Sequence, residues 1–357
     1  MKPPSKTNGD SASREKEYEG RARIRVMGVE AGVQKASAPA KCILFGEHAV
    51  VYGEPAVAVA LEQRLQVQLT PSKSWSVGGS QLQSERHPHI VALKDALLDD
   101  SIPPMSIHIT SDIPRASGLG SSAALSAAVG HAFATLAEHK NISNEALSTL
   151  AHQAEAQAQG GLASPLDTST STEGGVVVLS DKKETFCTWL YTRRLAVPTG
   201  ERVWEVHSLE LKRDDDIYLV LGNTGVHAPT SAQVALVASA LEESPERIQE
   251  IKAIGTISRR GLDALQRGDY TAVGHAMSEN HVLLRNLGVS SPELEDLIKA
   301  ALPTSLGVKL TGAGGGGCMV ALTRRPKETA EAIELAGGRT FVSRIGNAGA
   351  GTDDVNI

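Results

Sequence analysis

The sequence predicts an α+β protein. Short strand-like segments alternate with helical ones as far as Leu221. Four helical patterns then follow without a strand between them, at 229–243, 246–267, 270–287 and 292–302. The chain finally returns to strand (309–310 and 318–323), helix (327–336) and strand (339–345). At 357 residues it is long enough for two lobes around a large core.

The elements can be taken in order. Residues 1–14 are rich in Lys, Ser, Pro and Asp, which predicts an unpacked extension. They contain no apolar segment of the kind a secretory signal needs. We set residues 1–30 apart and assign them no function, although 23–27 could form an edge strand. Residues 35–45 and 56–69 read as strands, 88–100 has helical spacing, and 105–110 alternates like a strand. Residues 121–139 and 143–159 read as helices, and 175–179 and 217–221 as short apolar strands. The stretch from 180 to 215 is polar, with Lys182-Lys183 and Asp214-Asp215-Asp216, so a flexible connection is expected there. The expected lobes are 31–195 and 196–357.

Composition narrows the function. Hydrophobic residues make up 41% and aromatics only 3%, so the core must rely on Ala, Val, Leu and Ile. A net charge of −6 argues against a nucleic-acid or anionic membrane surface as partner. No basic run is interleaved with aromatics, and no apolar stretch reaches the ~18 residues of a membrane span. Cys42, Cys187 and Cys318 are too few and too scattered for a disulfide framework or metal cluster, which suits a reducing cytoplasm. The histidines show no HExxH pattern, and His87 and His89 read as solvated.

Three segments carry chemistry. Residues 114–124 read Pro-Arg-Ala-Ser-Gly-Leu-Gly-Ser-Ser-Ala-Ala. Gly118 and Gly120 leave bare backbone at the mouth of an alanine-rich helix. Ser121 and Ser122 can cap that helix or hold a phosphate and its metal. Alone, the pattern also fits an ordinary glycine loop capping a buried helix. Residues 38–53 read Ala-Pro-Ala-Lys-Cys-Ile-Leu-Phe-Gly-Glu-His-Ala-Val-Val-Tyr-Gly. Here a strand fronted by Lys41 stops at a glycine and presents Glu47 and His48. Residues 309–322 read Lys-Leu-Thr-Gly-Ala-Gly-Gly-Gly-Gly-Cys-Met-Val-Ala-Leu. Five glycines in six positions fit a loop that approaches a ligand closely before a buried strand. A Walker sequence and a GxSxG elbow are absent. A loose GxGxxA match at Gly118 is not preceded directly by a strand, as a dinucleotide loop requires.

Together these segments resemble the GHMP kinases, a family named for galactokinase, homoserine, mevalonate and phosphomevalonate kinases. The wording is most similar to the archaeal branch that phosphorylates mevalonate. Residues 44–53, 112–124, 163–168 and 309–322 carry the likeness, which spans roughly 35–345. The resemblance implies a two-lobed GHMP-kinase fold with the active site in the cleft between lobes. It implies ATP as co-substrate with Mg²⁺, bound at Pro114, Arg115, Ala116, Ser117, Gly118, Leu119, Gly120, Ser121, Ser122, Ala123, Ala124, Gly312, Gly314 and Gly315. Ser122 and Glu155 match the metal ligands. Asp167 matches the aspartate that accepts or orients the acceptor's proton, and Lys41 the lysine beside it. Glu47, His48 and Thr224 are the expected contacts to mevalonate, with His48 donating to one of its oxygens.

The resemblance further implies mevalonate and ATP as partners, a cytoplasmic homodimer, and transfer to the 5-hydroxyl, while the charge and composition above give no nucleic acid and no membrane as partner. Phosphomevalonate, the 3-hydroxyl of mevalonate, or a non-catalytic nucleotide-binding regulator are the alternatives. Two positions depart from the family. Ala40 stands where a glycine is usual, which would cost roughly 1 kcal/mol if that residue had a positive φ. Glu173 replaces an aromatic residue after Asp167.

Overall fold

The computed structural model describes residues 24–26, 29–31, 33–114, 117–138, 142–158, 164–185, 187–197, 200–212 and 214–351. The described residues begin with two short strands, β1 (Ile24–Val26) and β2 (Val29–Ala31), which pair antiparallel. The larger sheet follows. Its spine is β4 (Ala56–Pro71), a long strand whose alternating Leu65, Val67 and Leu69 are buried. The strand β3 (Gln34–Phe45) runs antiparallel along β4. The other edge of β4 is shared by β7 (Met105–Ser111), paired with 65–71, and β8 (Val176–Ser180), paired with 56–59. Two short strands, β5 (Ser76–Val77) and β6 (Ser80–Gln81), extend the sheet beyond β7.

Helices cover one face. They are α1 (Pro88–Leu97), α2 (Ser121–Leu136), α3 (Asn144–Ala158) and α4 (Leu166–Glu173). The central one, α2, is alanine-rich, and its Ala123, Ala124, Ala127 and Ala128 are fully buried. Small side chains let it lie close to β3, β4 and its flanking helices. All five hydroxyl residues of α4 from Thr168 to Thr172 are also fully buried.

Residues 188–209 are not the flexible connection expected from their polarity. They form a long hairpin, β9 (Thr188–Val197) and β10 (Gly200–Leu209), and β10 pairs with β8. The expected lobe boundary at 195/196 therefore falls inside β9, and the larger sheet ends only at Leu209. Alternation explains part of β10: Trp204 and Val206 turn inward, while Glu205 between them accepts from Trp189 and Thr192.

The second sheet is antiparallel, in the order β12 (Gly307–Thr311), β13 (Cys318–Thr323), β11 (Tyr218–Asn223) and β14 (Arg339–Ser343). Around it lie α5 (Thr230–Glu243), α6 (Ile248–Arg267), α7 (Tyr270–Asn286), α8 (Pro292–Ala301) and α9 (Pro326–Leu335). Of these, α6 is strongly amphipathic by sequence, with Ile251, Ile254, Leu262 and Leu265 buried. Beyond β14 the chain crosses back to the first sheet, where Gly351 bridges Ser37 and Ala348 bridges Gly174. Among the described residues no helix is long and apolar enough to cross a membrane.

Candidate active site

A cavity of about 960 Å³ lies between the two sheets. One wall comes from β3, the loop before α2 and the start of α4; the other comes from α5 and the glycine loop after β12. Its floor is the N-terminus of α2. Gly120 caps that helix with φ 74°, a left-handed conformation, and a Cβ there would lie 2.9 Å from Lys41 Cγ. Glycine is thus required both by the turn and by the lysine packed against it. Ser121 and Ser122 occupy the first turn and make no side-chain cap, contrary to the capping role expected for them.

Lys41 is almost wholly buried, and three contacts fix it. Its backbone N–H donates to Leu119 O at 3.0 Å. Its ammonium donates to Gly118 O at 2.9 Å and pairs with Asp167 Oδ2 at 3.1 Å. Asp167 sits in the first turn of α4 and keeps 32% side-chain exposure, against 3% for Lys41. The aspartate thus remains open to the cavity while the lysine holds it from behind. Ala40 causes no strain: it lies at a bulge in β3, and among the described residues only His48 and Glu138 are non-glycines with positive φ.

Glu155 projects from α3 to meet Ser122, which donates to its Oε1 at 2.5 Å. Burial, and then the negative charge of Asp167, push its carboxyl up to about 7. Glu155, the Ser122 hydroxyl and Asp167, which Lys41 holds through one oxygen, bring oxygen donors together at the cavity. That set fits Mg²⁺, which takes oxygen ligands and commonly uses one or two carboxylates together with substrate phosphates. Among the described residues no group of three or more His, Cys, Asp and Glu could hold a metal alone, so the phosphates would have to complete the site.

Glu47 and His48 both line the cavity, on a tight turn after β3. His48 has φ 61°, and burial holds its imidazole below the ordinary value, so the ring is neutral. Its Nε2 lies 2.8 Å from the carbonyl of Ala313. A carbonyl only accepts, so Nε2 carries the proton and Nδ1 is left as an acceptor. The ring is therefore placed to accept from a hydroxyl, not to donate to an oxygen as the sequence reading had it. Glu47 is paired with the buried ammonium of Lys309.

Ser117, Gly118, Leu119, Gly120, Ser121, Ser122 and Gly312 line the cavity as expected. Several expected ligand-binding residues do not. Ala123 and Ala124 point into the core, because the helix turns their side chains away from its N-terminal mouth. Pro114 borders a separate shallow depression with Asp112 and Arg339. Gly314 and Gly315 pack instead against Val289 and Gln233, and Gly317 against Ser117 O. The glycine loop is therefore largely a place of close chain-to-chain contact. Thr224 lies off the cavity lining, and its hydroxyl is spent on Gly317 O at 3.0 Å. Arg115 and Ala116 lie outside the described residues. Glu173 is bound by Asn144 away from the cavity, and His89 is half-buried against Ser126 rather than solvated. Sequence reasoning missed the apolar end of the cavity, formed by Leu65, Val77, Ile109, Ile113 and Leu125. These come from separate elements and carry no local signal.

A glycine loop at a helix N-terminus, an ion-paired aspartate open to the same cavity and a metal-fitting carboxylate define a phosphotransferase. The GHMP kinases N terminal domain description matches residues 89–175, and the GHMP kinases C terminal description matches 262–342. A mevalonate kinase from Pyrococcus abyssi is 33% identical over 90% of this chain and 98% of its own length. One from Archaeoglobus fulgidus is 36% identical over 82% and 93%. The crystal structure of L. major mevalonate kinase in complex with R-mevalonate superposes with a TM-score of 0.69 at 22% identity, covering 92% of this chain and 99% of that one. The chain belongs to the GHMP kinase family.

Proposed function

We propose that this protein transfers the γ-phosphoryl group of ATP to the 5-hydroxyl of mevalonate in the cytoplasm. The relatives named above are mevalonate kinases over nearly their whole length, which supports the acceptor. The observation that carries the chemistry is the Lys41–Asp167 pair, 3.1 Å apart beside the mouth of α2.

Phosphoryl transfer asks for positioning and for charge stabilisation. The bare N–H groups around Gly118–Ser122 and the positive end of α2 hold phosphate oxygens. Ser122 and Glu155 would hold Mg²⁺, with Asp167 beside them; when bound, the ion offsets charge on the phosphate oxygens. Asp167 accepts the hydrogen bond of the acceptor hydroxyl and takes its proton as the new P–O bond forms and the bond from the γ-phosphorus to the β,γ-bridging oxygen breaks, releasing ADP. Lys41 holds Asp167 aimed through their ion pair, and it offsets negative charge that grows on the attacking oxygen. Among the described residues lining the cavity, Lys41 is the sole lysine or arginine. That favours an acceptor without a phosphate of its own over phosphomevalonate.

The test is an acceptor panel of mevalonate, phosphomevalonate, homoserine and galactose, with product regiochemistry read by ³¹P NMR. Turnover of mevalonate to the 5-phosphate is expected; turnover of another acceptor alone would sink the assignment. Asp167→Asn should lower kcat about 10²–10⁴-fold with nucleotide affinity little changed.

A further inference from the structure

A lysine in the middle of a fully buried strand needs a reason. Lys309 lies at the centre of β12 with no exposed surface. Burying an ammonium is costly unless a counter-charge and hydrogen bonds surround it. Its counter-charge comes from the opposite lobe: Glu47, itself 2% exposed, accepts from its Nζ. The same ammonium donates to Leu310 O at 2.5 Å and lies 3.4 Å from Ile43 O. It therefore ties the second sheet to the end of β3.

What it ties is a wall of the cavity. Glu47 and His48 line it, and Lys309 does not. The turn is closed by its own backbone, with Ala49 N–H donating to Glu47 O at 2.7 Å and Val50 N–H to Gly46 O at 3.1 Å, and few side chains reach it from outside. Gly46 N–H donates to Asn280 Oδ1 at a long 3.3 Å, and His48 is kept in a left-handed conformation by its bond to Ala313 O. The second carboxylate oxygen of Glu47, Oε2, is buried with no hydrogen-bond partner among the described residues. A buried carboxylate left half-satisfied at a cavity wall is an acceptor waiting for a donor.

We propose that Lys309 is a positioning residue for the acceptor alcohol: it fixes the Glu47 side chain in place, so that Glu47 and His48 together form a polar wall for a polyhydroxylated substrate. Lys309 acts only through Glu47 and touches neither substrate nor nucleotide. The idea rests on the kinase reading above and adds to it which residue sets recognition of the acceptor. It assigns β12 a part in substrate recognition and leaves the phosphate loop to bind nucleotide.

Steady-state kinetics on Lys309→Met, Glu47→Gln and the double variant test it. Wild-type enzyme is assayed first on the acceptor panel; failure there defeats the kinase reading, not this one, and the variants are then assayed on whichever acceptor is turned over. Each single variant should raise KM for the acceptor at least tenfold while KM for ATP stays within twofold. The double variant should be no worse than the poorer single one, since both changes disable the same carboxylate. Additive losses in the double variant would overturn the proposal. So would a Lys309→Met enzyme with a lowered melting temperature and an unchanged acceptor KM, because that is a purely structural lysine. Should Lys309→Met not fold, Lys309→Arg keeps the charge with a changed reach. It should raise KM for the acceptor more than KM for ATP, and equal changes in both would count against the positioning role.

Discussion

Glu155 shows how one carboxyl can report on the state of the site. Its folded value of about 7 stands above the usual 4.5 because it is buried beside Asp167. Between those two values the folded protein holds a proton that the unfolded chain releases. Without metal, this residue's contribution to stability is complete below about pH 4.5 and fades as pH rises through about 7. The loss is on the order of 3 kcal/mol. Thermal melts in chelator should therefore show Tm falling across that window. Glu155→Gln should flatten the slope and raise Tm at pH 8. Mg²⁺ with ATP should raise the wild-type Tm most at the alkaline end. A Tm independent of pH in chelator would mean that the carboxyl is not buried as described.

Among the elements, α6 matters because of what it omits. Gly255 and Gly261 lie on the face it turns to the first lobe, with Ser258 between them, also fully buried. At Gly255 the space is filled by the Glu54 carboxylate, which Arg259 also binds at 2.9 Å. At Gly261 a Cβ would lie 2.4 Å from Phe45 Cζ, inside the ring's contact distance. Phe45 is the last residue of β3, immediately before the Gly46–His48 turn, so this contact sets where the acceptor wall begins. Alanine is the better helix former by about 1 kcal/mol. Overpacking against a fixed ring costs about 1–3 kcal/mol and should win. Gly261→Ala is thus expected to lower Tm, as measured by calorimetry, and to impair acceptor binding more than ATP binding. A rise in Tm would show that Phe45 can move aside.

For the whole molecule, several contacts among the described residues join the two sheets. Lys309 and Glu47 join them at the cavity. Arg259 bridges Glu54 and Glu184 behind it. The segment after β14 returns across the first sheet: Arg64 donates to Ala348 O and Gly349 O, both at 2.8 Å, and Ala350 N–H donates to Thr172 O at 3.1 Å. That last bond reaches α4, the helix carrying Asp167. Arg64→Ala should release the returning segment, at a cost of about 1–2 kcal/mol for the lost charged hydrogen bonds. Limited proteolysis should then cut near 346–351 where the wild type resists; an unchanged digestion pattern would deny the segment this role.

The phosphate loop was legible from local chemistry, since Gly118, Gly120 and the hydroxyls beside them announce a helix mouth within seven residues. Asp167 and Lys41 were singled out only through the resemblance to the GHMP kinases, and their pairing appears only in the structure. The hairpin at 188–209 was misread because its outward face is charged, although the inward positions of Trp204 and Val206 kept a period of two. Lys309 stood in plain view at the head of the glycine motif, but nothing adjacent to it hints at Glu47, 262 positions away.

What the sequence determined by itself were those features encoded by neighbouring residues: most of the helices and strands, where a helix opens on bare backbone, and which family the motifs belong to. Only the tertiary structure decided which glycines face the cavity and which face another stretch of chain, which way His48 presents its proton, and why a strand in the second lobe carries a charge. Local preference acts over a few bonds. Burial, ion pairing and close contact depend on what distant segments bring alongside, and that is settled only when the two sheets pack together.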